Sequence, residues 1–451
     1  MNAGNPRRCV LPGHGPWAAR RRLTCLLIAC AVAASLPAPT ASSAALKPFQ
    51  SGDRVAFVGD SITHWGAYAY TVSAFYQTRF PERKIYWGYF GRSGSTAAFW
   101  SREPGPDDPH PEWPNLSKLL AFRPTVVTIM FGMNDSHYDD VWLLSEEKRK
   151  QALIQAKTNY EQNMDKLIAR LQSAGVKRII LIIPSPYDEA QVTDAKYKPL
   201  RGKNAFIRDV FGSYLIRKSK ELGEPVVDFM TPMLKINERE QESDPKFSVD
   251  DLGDRIHPGR VGHFVMGYIF LKAQGLEGKV SETVISASSA KVLKHYNCDI
   301  TGLKISDNRL VWTCKSRSLP FPPRIPGYAD YKAMKGKGWA RYVPFDDEFN
   351  REIVRVTGLQ AGEYALNIDG VRIGTYSAED LARGINLAGE TVTPQCKQAD
   401  SVHSYRAKES DYSPDSAFGY WYYKWNDDSK VDLIYRALQP TPRDYELLKL
   451  K

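Results

Sequence analysis

Residues 54–63 read Arg-Val-Ala-Phe-Val-Gly-Asp-Ser-Ile-Thr, and the fold turns on them. Positions 54–58 form a short apolar, β-branched and aromatic run closed by Gly59, the pattern of a buried strand entering a tight turn. Ser61 stands where that strand ends. In an open α/β sheet ligands collect at the carboxyl ends of the strands, so a hydroxyl placed there faces a crevice. Ser61 is therefore a candidate nucleophile. It is equally a candidate N-cap for a helix beginning near Trp65, since serine is favoured both in turns and at caps. On this stretch alone the two readings stand level.

Outward from it, the same geometry recurs. Residues 85–90 read as a second strand leading into Gly91-Arg92-Ser93-Gly94-Ser95-Thr96, a turn whose glycines let backbone approach a ligand closely. Residues 124–131 read as a buried strand with Gly132-Met133-Asn134-Asp135 at its end, and 176–183 as another. A short strand is expected at 225–229. Helical patterns fall at 65–80, 145–174, 203–222, 230–242 and 261–273, and 101–114, rich in Pro, Asp and His, reads as an exposed loop. Strands alternating with helices over some 200 residues predict a doubly wound parallel sheet, an α/β/α fold. Beyond Gly275 the texture changes. Residues 295–330 and 349–376 alternate polar and apolar, which predicts a small antiparallel β unit; Ser377 caps a helix, and 394–438 reads as largely helical, with an aromatic cluster at 418–425.

The chain has 451 residues, 43% hydrophobic and 25% charged, as in an ordinary globular protein. Residues 1–45 resemble a secretory signal: Arg20-Arg21-Arg22, the apolar run 23–36, then small residues. That run is shorter than the roughly 18 apolar residues of a membrane span, and no other run approaches that length. A lipoprotein box ending at Cys30 is a minor alternative. Residues 1–45 hold five arginines and no acid, so without them the formal charge falls from +10 to about +5. Charges of both signs are interspersed, which leaves no nucleic-acid footprint. The domains expected are a signal at 1–45, a catalytic domain at 46–279 and a C-terminal accessory region at 280–451. Three cysteines remain after the signal. Cys298 and Cys314 flank a hairpin turning at Asp307-Asn308 and are candidates to pair in an exported protein, with Cys396 left over. No Cys/His cluster has zinc-site spacing.

Asp254-Arg255-Ile256-His257 completes the set of loops. Acyl transfer to serine needs a base for the hydroxyl proton, a carboxylate to orient that base, and donors where negative charge develops. His257 is the base expected, Asp254 its orienter, and Ser61 N–H, Gly94 N–H and the Asn134 side chain the oxyanion donors. Each piece alone has a bland reading as turn chemistry. His263, inside the following helix, and His295, beyond the sheet, are not expected to reach Ser61.

In these residues the chain resembles the SGNH/GDSL hydrolases. Gly-Asp-Ser-Ile-Thr at 59–63 is similar to their first block, Gly-Met-Asn-Asp at 132–135 to the third and Asp-Arg-Ile-His-Pro at 254–258 to the fifth. The second departs from the family pattern: Tyr89 stands where it has asparagine and Ser95 where it has aspartate, while Gly94 keeps its place and Gly91 is the weaker choice for that role. The order of catalytic domain, small β region and helical tail looks like that of a group of exported bacterial hydrolases. The resemblance implies a three-layer serine esterase with no metal and no organic cofactor. The substrate expected is an acylated carbohydrate, most readily an acetyl ester, with Trp65, Trp87, Trp100 and Trp113 near the motif loops as candidate platforms. A lipase-type carboxylesterase, an acyltransferase and a carbohydrate-binding protein without turnover are the alternatives.

Overall fold

The structure is a computed structural model that describes residues 45–190, 198–249, 253–322, 341–407 and 428–450, with 401–407 and 428–430 described by backbone alone. The signal region up to residue 44, the aromatic cluster 418–425 and residues 250–252 lie outside the described residues.

Five strands, β1 (Arg54–Gly59), β2 (Tyr86–Gly91), β3 (Val126–Met130), β4 (Arg178–Ile183) and β5 (Val227–Asp228), form one parallel sheet in the order β2-β1-β3-β4-β5. Val55–Val58 and all of β3 are buried, as expected of strands covered on both faces. Parallel crossovers are right-handed. The step β1 to β2 and the steps β3 to β4 to β5 run in opposite directions, so their helices fall on opposite faces. The helix between β1 and β2 packs with Arg260–Ala273, and Phe57 of β1 meets both through Tyr68 and Phe270. The order reverses between β1 and β3, and at such a switch point the loops part to leave a crevice. Ser61 follows β1 and Asn134 follows β3.

The expected helix at 65–80 is two helices, α1 (Ser61–Trp65) and α2 (Ala67–Arg79), separated by Gly66 at φ 63°. Asp60, not Ser61, is the cap of α1: its carboxylate accepts the Ile62 N–H at 2.9 Å. Ser61 is thus the first helical residue, and its hydroxyl is left free of capping duty.

The C-terminal region is larger than the single antiparallel unit expected. One sheet contains β6 (Lys279–Ser286), β7 (Lys291–Tyr296), β10 (Arg351–Thr357) and β13 (Ile385–Asn386), and here β10 pairs with β6 in parallel. The other, antiparallel throughout, joins β8 (Cys298–Ser306), β9 (Arg309–Ser316), β11 (Glu363–Ile368), β12 (Val371–Ser377) and β14 (Arg443–Lys449). Ile285 and Val356 of the first sheet share a core with Trp312, Leu366 and Leu447 of the second. The β8–β9 hairpin turns where expected, but Cys298 and Cys314 are two buried free thiols, with Thr283 Oγ1 3.8 and 4.0 Å from them.

Phe321, Phe345 and Phe349, far along the chain, belong to the core of the parallel-sheet region. Phe345 packs on Phe264 with centroids 4.8 Å apart, and Phe349 on Phe75 and Tyr268, each at 5.6 Å. Arg79 donates to the Phe349 carbonyl at 2.7 Å, and Gly278 lies so close to the Glu348 carbonyl that a Cβ would come within 1.2 Å of it. Each buried phenylalanine is worth roughly 1.5–3 kcal/mol. A chain ending at Lys279 is therefore expected to aggregate or melt well below the full chain; a truncated protein of equal Tm and activity would refute this packing.

Candidate active site

α1 is pressed against the sheet at two glycines. A Cβ on Gly59 would sit 2.1 Å from Thr63 Oγ1, and one on Gly91 would sit 2.0 Å from the His64 nitrogen. Gly91 thus serves close packing, which leaves Gly94 as the glycine of the second loop that is open to a ligand; it lies at φ 75° with nothing within 4 Å of a Cβ position. The seat of Ser61 at the head of α1 follows from this packing and from the Asp60 cap.

Asp254 and His257 leave their polar loop toward the same point. Asp254 Oδ1 accepts the Ile256 and His257 backbone N–H groups, both at 2.9 Å, and Oδ2 lies 2.5 Å from His257 Nδ1. His257 Nε2 is 2.8 Å from Ser61 Oγ. The three residues singled out in the sequence meet in one hydrogen-bonded chain. Burial pushes the Asp254 carboxyl up, but the His257 hydrogen bond, its charge and the two backbone N–H groups outweigh burial and hold it below the ordinary carboxylate range.

The third loop delivers Asn134 with its amide oriented. Nδ2 donates to the Ser95 carbonyl at 2.9 Å, and Oδ1 accepts the Tyr138 hydroxyl at 2.8 Å. One of the two Nδ2 hydrogens is thereby fixed and the other remains for a substrate oxygen. Asp135 ties this loop to the second by accepting from Gly132 N–H at 3.1 Å and Ala97 N–H at 3.0 Å; burial raises its carboxyl to about 7. Beneath, the buried Lys203 ammonium donates to the Met133 carbonyl, Ser136 Oγ and the His137 carbonyl, and burial lowers it to about 7. Among the described residues, Ser61 N–H and Gly94 N–H meet no protein acceptor.

The departures in the second loop have local replacements. Ser95 Oγ donates to the Gly59 carbonyl at 3.3 Å and accepts Trp100 Nε1–H at 3.1 Å, stitching the turn to the end of β1. Tyr89 stacks on Phe57 and hydrogen-bonds Ser73 at 2.6 Å. The expected loop at 101–114 is there, but it is pinned: the Arg92 guanidinium pairs with Asp108, donates to the His110 carbonyl at 3.0 Å, and lies over Phe99 and Trp113. Between this loop and the second lies a cavity of about 430 Å³, lined among others by Gly94, Thr96, Phe99, Arg102 and Asp107.

Of the tryptophans, Trp87 and Trp100 are wholly buried and offer no platform. Trp113 stacks on His110 at 4.1 Å. Trp65 lies flat on the His257 ring, with centroids 5.1 Å apart and planes 9° from parallel. Sequence reasoning left that contact unassigned, although Trp65 stands four residues after Ser61, the spacing that shares a helix face. Tyr138 and Arg92 had no such signal. His263 is in the helix Arg260–Ala273 and His295 in β7, neither on Ser61.

Among the described residues no group of three or more His, Cys, Asp or Glu is placed to hold a metal ion, and no helix is long and apolar enough to cross a membrane. Residues 57–264 match the GDSL-like Lipase/Acylhydrolase family. The solved structure of BT4096, a gut microbial diltiazem-metabolizing enzyme, is similar over 90% of this chain and 99% of its own, at 28% identity and a TM-score of 0.75, so the likeness takes in the C-terminal sheets as well. Axe2, an acetylxylan esterase from Geobacillus stearothermophilus, is similar over 51% of this chain and 96% of its own, at 23% identity and a TM-score of 0.37. No curated protein matches. With its four motif loops gathered at one sheet edge, the domain spanning residues 57–264 is of the SGNH/GDSL hydrolase type, and the protein is a hydrolase acting on ester bonds.

Proposed function

We propose that this protein is an exported serine esterase that removes acetyl groups from carbohydrate through an acyl-enzyme on Ser61. The observation that carries the reading is the relay Asp254 to His257 to Ser61, at 2.5 and 2.8 Å, beside the Ser61 and Gly94 N–H groups and the second Nδ2 hydrogen of Asn134. Ser61 Oγ attacks the acyl carbon as its proton passes to His257 Nε2. The charge that gathers on the carbonyl oxygen is met by Ser61 N–H, Gly94 N–H and Asn134 Nδ2–H. His257 then returns its proton to the departing alcohol, and water, activated by the same ring, releases the acid. Asp254 keeps the imidazole in the required tautomer and stabilises the imidazolium.

A polar alcohol is supported by the lining of the cavity beside Gly94, which includes Arg102, Glu103 and Asp107 and one aromatic ring, Phe99. A long acyl chain would want a continuous apolar groove there. Export is supported by the basic and apolar run in residues 20–36. The test is acid release by the purified protein from acetylated oligosaccharides, aliphatic esters of rising chain length, and diltiazem, the compound that BT4096 metabolizes. Turnover confined to long acyl chains would overturn the carbohydrate reading. For the donors, Asn134→Ala is expected to lower kcat by roughly 10²–10³ with KM little changed, and Tyr138→Phe to give a smaller loss of the same kind. A loss confined to KM would move Asn134 into substrate binding.

A further inference from the structure

We propose that Trp65 is a positioning residue for the general base, its indole face holding the His257 ring in plane and stabilising the imidazolium that forms during turnover. The inference rests on the triad reading above. Trp65 and His257 stack with centroids 5.1 Å apart and planes 9° from parallel. Behind them His263 lies 6.4 Å from Trp65 at 18°, and Tyr68 lies 6.1 Å from His263 at 7°, with its hydroxyl on Thr63 Oγ1 at 3.1 Å. The half-buried indole thus has a second parallel ring, His263 of the helix Arg260–Ala273, beside it, and that ring is in turn stacked with Tyr68 of α2.

The physical consequence is asymmetric between the two states of His257. A neutral imidazole gains only stacking from the indole, whereas an imidazolium is drawn to the negative face of the π system, and tryptophan provides the strongest such face. An interaction that strengthens as the proton moves lowers the barrier and so raises kcat, while one equal in both states would only tighten binding.

The other groups facing His257 fit this division of labour. Asp254, from the same loop, is held below the ordinary carboxylate range and favours the charged ring by its own charge, whereas burial raises Asp60, from the turn after β1, to about 6, so it adds charge only above that pH. His263 is the one group behind the stack that could oppose it, and it stays neutral: burial, and then the charge of His257, lower it to about 3. Both its ring nitrogens are buried without a hydrogen-bond partner among the described residues, as suits a ring that serves as a flat neutral backing.

The test compares Trp65→Leu, which removes the π face, with Trp65→Phe, which keeps a weaker one, in the full chain on a small acetyl ester across pH. Trp65→Leu is expected to lower kcat about three- to tenfold with KM within twofold, and to move the acid limb of kcat/KM to lower pH by about half a unit. Trp65→Phe should fall between it and the parent. If Trp65→Leu does not fold, tryptophans of rising fluorine content placed at position 65 keep the shape and drain the face, and kcat should decline along that series. NMR titration of the His257 ring in a Ser61→Ala background needs no turnover. It should show the same downward movement in Trp65→Leu or along the fluorinated series even if the chain proved inactive on every ester tried. An acid limb and a ring titration that stay in place, or a loss that falls on KM alone, would overturn the proposal; the latter would make Trp65 a substrate platform.

Discussion

Ser61→Ala is expected to reduce kcat by several orders of magnitude and to leave Tm almost unchanged. The first part follows from chemistry. With no hydroxyl there is no acyl-enzyme, and only binding and the oxyanion donors remain, which in triad enzymes still give roughly 10³–10⁴ over water. The second follows from position. Ser61 opens α1, but the cap is Asp60, whose carboxylate holds Ile62 N–H, so alanine removes no capping bond. It also keeps the backbone N–H that faces the oxyanion. The loss is therefore one of reaction and not of fold, and kcat measured beside a melting curve separates the two. Trapping the acyl group by rapid quench and mass analysis should place it on the peptide carrying residues 61–65 in the parent and nowhere in the variant. Near-normal turnover by Ser61→Ala would end the assignment of this serine.

Much of the parallel sheet was legible because a strand buried on both faces leaves a mark that needs no partner: 54–58 and 126–130 are apolar runs followed at once by Gly and polar residues. Ser61 and Asn134 were legible as types because each sits just past such an end, and His257 because Asp254 stands three residues before it in a polar loop. What the chain did not disclose is what depends on remote contacts. Alternation in 351–357 tells which residues face inward but not which strand lies beside them, so the parallel pairing of β10 with β6 could not be read. β14 lies beyond the helical pattern at 394–438 and was not read as a strand, although Tyr445 and Leu447 point inward on alternate positions. The helical pattern at 65–80 runs through Gly66, whose left-handed φ ends α1 and separates it from α2.

The same division holds at the site. Ser95 in place of an aspartate leaves the second loop looking unsupported in sequence; the Gly59 carbonyl and the Trp100 indole that support it come from 36 residues before and five after. Arg92 within Gly-Arg-Ser-Gly had no assigned role in the sequence reading. In the structure it is 5% exposed and fastens the loop 101–114 to the turn at 91–96. A tryptophan near a catalytic motif suggests a sugar platform by type alone, whereas burial decides: Trp87 and Trp100 are spent in the core, and Trp65 is spent on the base.

The second large effect belongs to His257. His257→Ala is expected to abolish most activity together with the acid limb of kcat/KM, while His295→Gln, in β7 and bonded at Nδ1 to the Cys298 carbonyl, leaves both in place. The sign follows from the role: the ring accepts the Ser61 proton at Nε2 only when that nitrogen is bare, so kcat/KM rises as pH climbs and the proton leaves. Asp254 does not add a second step to this limb. Burial works to raise it, but the hydrogen bond and charge of His257 and the backbone N–H groups of His257 and Ile256 hold it below the ordinary carboxylate range, and it remains ionised while the ring titrates. The group that can add one is the buried Asp60, which burial raises to about 6 and which interacts by charge with His257. Asp254→Asn, which keeps the shape but offers the ring the wrong tautomer, should cost roughly 10⁴ in kcat. His263, the other histidine nearby, is wholly buried against Trp65 and Tyr68, so its truncation to alanine is expected to open a cavity and lower Tm. If the acid limb persisted unchanged in His257→Ala, the proton would be going to another group, and the contact of 2.8 Å between Nε2 and Ser61 Oγ would be a hydrogen bond without a catalytic role.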